Sequence, residues 1–155
     1  MPKSHGENSL GDRDGILAKV RLDFRGTGKP GRFLFRGKPT DKAAEEAREQ
    51  QVAVLRNVPL QGVQIVDIDI SNEVYTVYDD LANSETAFAP LMLTVKADGL
   101  EGLVRFIARE EFRKIEILDP AFVTLSHSDV ERVLFKVYEE MKEYRSRLDR
   151  KYNLK

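Results

Sequence analysis

Apolar and polar residues alternate along positions 16–24. Ile16, Ala18, Val20, Leu22 and Phe24 fall on one face, and Lys19, Arg21 and Asp23 on the other. A period of two marks a strand with one face buried. The same period recurs at 66–70, where Val66, Ile68 and Ile70 oppose Asp67 and Asp69. It recurs again at 112–118, where Ile115 and Ile117 are expected inward and Lys114 and Glu116 outward. Leu91, Leu93 and Val95 share a face of a strand expected from Pro90 to Lys96, and Arg32–Arg36 is a short strand expected to form a hairpin with 16–24. Residues 63–80 read as a second hairpin, turning at Ser71-Asn72, in the middle of the sheet with Val66, Ile68 and Ile70 in the core. Leu81–Ala89 reads as a loop.

Three stretches carry the helical period. Thr40 or Asp41 can cap a helix reaching about Asn57, rich in Ala, Glu, Gln and Arg. Leu100, Leu103, Val104, Ile107 and Ala108 mark a second helix. On it, Glu101, Arg105 and Arg109 are spaced for a solvated ladder of ion pairs. The third opens on Ser128-Asp129-Val130-Glu131, a capping-box pattern, and runs to Tyr152. Its length is about 36 Å. Its first turns, Val130–Met141, are expected to cover the chain's own sheet.

These elements predict an α+β fold. A single, mostly antiparallel sheet carries helices largely on one face, with ferredoxin-like β-α-β elements around 65–118 and a long C-terminal helix. Residues 90–118 form one β-α-β unit whose strands should run parallel. Residues 1–15 hold almost nothing apolar and read as a flexible tail before a single domain, 16–155.

Charge alters this picture through its distribution. The net charge of −1 gives no overall field toward nucleic acid or an anionic membrane. Residues 1–42, however, hold ten Lys/Arg against five Asp/Glu, and residues 57–95 hold six acids and no Lys or Arg. The absence of cysteine excludes disulfides, thiolate nucleophiles and Cys-ligated metal. No apolar run approaches the roughly 20 residues of a membrane span. A cytoplasmic setting without membrane association is the expectation.

Three patterns carry candidate chemistry. Asp67, Asp69, Asp79 and Asp80 would converge at one end of the expected hairpin, where carboxylates could hold Mg²⁺ or Mn²⁺ for a metal-dependent enzyme. A wet strand face accounts for the same residues more simply. Arg21, Arg25, Lys29, Arg32, Arg36 and Lys38, interleaved with Phe24, Phe33 and Phe35, could bind phosphates and stack bases. The glycine-rich segment among them lacks the P-loop pattern. Ser126-His127-Ser128-Asp129 contains triad residue types, but neighbours at a helix start point apart, and capping explains them.

The third pattern is on the last helix. Val130, Leu134, Val137, Met141, Tyr144 and Leu148 alternate by four and three, the spacing of a coiled-coil seam. Tyr144, Leu148 and Tyr152 lie farthest from the domain and need a partner to be covered. The sequence therefore points to a small non-enzymatic protein-interaction or regulatory module. It would self-associate, or bind another protein, through its C-terminal helix and need no cofactor. Nucleic-acid binding by the basic hairpin 16–38 and divalent-metal catalysis by the acidic hairpin 63–80 are the alternatives.

Overall fold

The computed structural model describes residues 15–26 and 40–153. The expected tail at 1–14 and the expected strand Arg32–Arg36 lie outside those residues. In chain order the elements are β1 (Ile16–Gly26), α1 (Thr40–Asn57), β2 (Val63–Asp69), β3 (Tyr75–Asp79), β4 (Ser84–Ala97), α2 (Leu100–Ile107), β5 (Phe112–Asp119) and α3 (His127–Tyr152). The fold is α+β: one antiparallel five-stranded open sheet and three helices. The strand order is β2-β4-β1-β5, and β3 pairs with β4 as well.

The two longest strands make the centre. β1 pairs with β4 from Ile16 opposite Ala97 to Gly26 opposite Ala87. Their inward residues, Ala18, Val20, Leu22, Leu91, Leu93 and Val95, are wholly buried. The alternation at 16–24 is thus what the structure uses. α1 contributes Val52 and Leu55 to this core, and α2 contributes Leu103 and Phe106. α1 can lie close because Gly26 has no side chain: a Cβ there would sit 2.2 Å from the backbone N of Ala44 and the O of Thr40.

β4 and β5 both run antiparallel to β1, so they are parallel to each other as expected. They are not neighbours, because β1 lies between them. The unit β1-α1-β2 is split in the same way by β4.

Residues 63–80 depart from expectation. β2 and β3 do not pair with each other. They lie end to end along one edge of β4, β2 against Met92–Ala97 and β3 against Ser84–Phe88. The hairpin is instead β3–β4, so residues 84–89 are strand rather than loop. Its turn, Asp80–Asn83, is held by the Asp79 carboxylate, which accepts from the N–H of Leu81 at 2.9 Å and of Ala82 at 3.2 Å. A bulge between Ile65 and Asp67 shifts the parity of β2. Val63, Ile65 and Ile68 face the core, while Val66 is 54% and Ile70 50% exposed. The stretch is therefore sheet edge, not sheet centre.

Pro90 stands in the middle of β4, where a missing N–H ought to cost a ladder bond. Asp23, opposite it, turns its N–H away from β4 to the carbonyl of Glu111, 2.8 Å away. The nitrogen of Pro90 accordingly faces the break between β2 and β3, where no strand asks for a donor. Arg48 of α1 fills the break, donating from Nη1 to the carbonyls of Pro90 and Asn72, each at 3.0 Å.

Candidate functional site

Two surfaces carry residues that the core does not explain. The first is the sheet face opposite α1 and α2. Strand register sets rows across it: Lys19–Thr94–Asp67, Arg21–Met92–Asp69 and Arg25–Phe88–Tyr75. At its centre lies Asp23, which is only 2% exposed. Its carboxylate accepts from Arg21 Nε at 2.9 Å and Arg21 Nη2 at 3.2 Å, and from the Tyr75 hydroxyl. Arg113 Nε stands 3.6 Å away. The Arg113 guanidinium lies over Phe88, and Phe88 stacks on Tyr75 with ring centres 5.4 Å apart. Burial pushes the Tyr75 phenol up, and its bond to the Asp23 carboxylate adds to this. Arg21 is also raised, first by its hydrogen bond to Asp23.

The predicted residues on this face are only partly brought together. Asp67 and Asp69 share it, as expected. Asp79 and Asp80 do not join them: Asp69 pairs with Met92 and Asp79 with Ser84. Eight residues along β4 separate the pairs by about 26 Å. Among the described residues no group of three or more His, Cys, Asp or Glu is placed to hold a metal ion. Asp69 accepts from the Ser71 N–H at 2.8 Å, and its hydrogen bonds with Ser71 hold it below the usual carboxylate range.

Arg21 and Arg25 project from β1, Arg21 being engaged by Asp23. Lys29, Arg32, Arg36, Lys38, Phe33 and Phe35 lie outside the described residues. Phe24 is 2% exposed and cannot stack a base. The aromatics this face offers are instead Tyr75 and Phe88. Their partners lie tens of residues away, so no local pattern marks them.

The second surface is α3. Its cap lies two residues before Ser128, because the capping box is Ser126 with Asp129. Ser126 Oγ accepts the Asp129 N–H at 3.1 Å, and the Asp129 carboxylate accepts the Ser126 N–H at 2.9 Å. The bond from the Ser126 backbone holds Asp129 below the usual carboxylate range. The expected ladder on α2 is not formed. Glu101 instead pairs with Arg132 of α3 at 3.2 Å, Arg105 donates to Gln61, and Arg109 pairs with Glu111 and donates to Gln51.

α3 does not cover the sheet. Its one substantial contact among the described elements is with α2, and none of its 26 residues is buried. Asp129, Val133, Lys136 and Glu140 are the partly covered residues of its first turns. The apolar stripe Val130, Leu134, Val137, Met141 and Tyr144 points about a quarter turn away from them, into solvent. Leu134 is 63% and Met141 66% exposed, and Tyr144 and Tyr152 are exposed with them. Leu148 is half-buried. Phe122, Val123 and Leu125, in the segment leading into α3, are exposed as well.

No helix among the described residues is long and apolar enough to cross a membrane. Comparison with protein families, with curated proteins and with solved structures finds no match for the chain.

Proposed function

We propose that this protein is a protein-interaction module that self-associates through α3. One observation carries the reading: the helix turns its polar stripe to its own domain and its apolar stripe outward. A helix that served only its own fold would be rotated the other way, since apolar burial is the dominant stabilising term. The outward stripe is an exposed apolar surface of the kind that marks binding sites.

The energies are compatible with association. A seam side chain passing from half-exposed to buried contributes about 1 kcal/mol. Six from each of two copies exceed the lower part of the roughly 4–15 kcal/mol that association costs. Sedimentation over a wide concentration range tests the reading. The chain is expected to be an oligomer at micromolar concentration, and Leu134→Glu with Met141→Glu a folded monomer. An unsubstituted chain that stays monomeric at high concentration would sink it.

A further inference from the structure

The seam positions of α3 have flanks, and the flanks point to how the second copy lies. With Leu134, Met141 and Leu148 at the a positions and Val130, Val137 and Tyr144 at the d positions of a heptad, the preceding flank (g) holds Val133, Glu140 and Arg147. The following flank (e) holds Glu131, Tyr138, Arg145 and Tyr152. In a parallel pair each g residue meets the e residue five places later in the partner. That gives Val133 with Tyr138, Glu140 with Arg145, and Arg147 with Tyr152. The first is an apolar contact, the second an ion pair and the third a cation over an aromatic ring.

In an antiparallel pair like flanks meet instead. Two Glu131–Arg145 pairs then form, but Glu140 faces its own copy, and Val133 faces Arg147. The position of the domain points the same way. α3 is tied to its own α2 by the Arg132–Glu101 ion pair, and the partly covered residues of its first turns, Asp129, Val133, Lys136 and Glu140, lie on the g side of the seam. Antiparallel pairing puts both domains on one side of the helix pair, displaced only slightly along it. Parallel pairing puts them on opposite sides.

We infer that two copies of this chain pair their α3 helices in parallel and in register, with Glu140 of each copy against Arg145 of the other. This rests on the reading of α3 as the self-association element. The charged residues at Glu131, Glu140, Arg145 and Arg147 keep the apolar stripe narrow enough for two helices. Leu at a with a β-branched residue at d, as at Leu134 and Val137, is a combination that shifts preference toward three or four strands, so the strand number is measured directly.

The chain has no cysteine, so introduced cysteines are its only thiols. Val130→Cys and Leu148→Cys are prepared separately, mixed, and oxidised mildly, while the mass of the unsubstituted protein is measured by sedimentation. Expected are a dimeric mass, disulfides joining like positions, and no 130–148 product. Parallel pairing holds those two positions about 27 Å apart along the axis, beyond disulfide reach. A 130–148 disulfide overturns the parallel arrangement while leaving self-association standing, as does a dimer that gives no disulfide at either position. A trimer or tetramer overturns the two-stranded pairing. A monomer overturns both this inference and the function it rests on. As an independent check, Arg145→Glu should weaken association by about two- to five-fold per pair, and adding Glu140→Arg should restore it. Restoration by Glu131→Arg instead would indicate the antiparallel arrangement.

Discussion

Asp23 and the outward stripe of α3 are opposite misfits. One is a charge placed where water is excluded, and the other is apolar surface left in water. The charge is resolved within the chain: two arginines and a tyrosine from three strands converge on it. A buried unpaired carboxylate would otherwise cost several kcal/mol. The apolar stripe is not resolved within the chain. Leaving a leucine or methionine half-exposed costs little per residue, so a fold can carry such a surface when a second molecule will cover it. A buried charge demands its partners at folding, whereas an exposed stripe can wait for association.

That contrast can be broken at several points. Asp23→Ala should be the most damaging change, because it leaves the guanidinium groups of Arg21 and Arg113 facing each other. A loss of about 3 kcal/mol by urea unfolding is expected, the lower end of the range for a broken buried pair because both arginines are partly exposed. A loss below about 1 kcal/mol would mean that the cluster does not organise this face.

Tyr75→Phe removes one donor and should cost about 1–2 kcal/mol. It also changes the alkaline limb. The folded pKa of Tyr75 lies above its unfolded value of about 10, chiefly through burial. Its contribution is therefore fully present below pH 10 and lost as pH rises through the folded pKa. The stability difference between the native chain and Tyr75→Phe should shrink across that window, and an unchanged difference would dissociate the phenol from Asp23.

Ser126→Ala should cost about 0.5–1 kcal/mol and raise hydrogen exchange in the first turn of α3. Ser128→Ala, inside the helix, should do neither. Smallest of all in stability is Leu134→Glu with Met141→Glu. Assayed in the monomer, it should stay within about 0.5 kcal/mol of the native chain while reducing self-association at least ten-fold. If it unfolds the monomer, α3 is covered by its own domain after all.

Elements with a single uninterrupted period were legible in the sequence. β1 follows its alternation residue for residue, and the stripe on α3 is where the heptad spacing puts it. What could not be read was set by distant partners. A bulge at Val66 reversed the parity of half of β2, and a bulge leaves no mark in an apolar pattern. Adjacency in sequence points β3 to β2, whereas both pair with β4. Asp23 looked like an ordinary outward residue, because its partners Tyr75 and Arg113 come from strands 52 and 90 positions along the chain. Two overlapping capping patterns, at Ser126 and Ser128, satisfy the same local rule. The direction α3 faces was likewise not a property of the helix alone, since it follows from which stripe meets α2.

Pro90 has a consequence beyond its own ladder bond. On the side of β4 that carries β2 and β3, it is the point where one partner strand stops and the other has yet to start. The main core lies on the β2 side of that point. Beyond it, β4 is backed by the small cluster of Ala44, Ala87 and Ala89, with Val74 against it. Alanines bury little area each, so amide exchange is expected to be faster in the β3–β4 hairpin than in the sheet it extends. One long strand is thus backed by two separate clusters, and the boundary between them is a residue that has no amide proton to exchange.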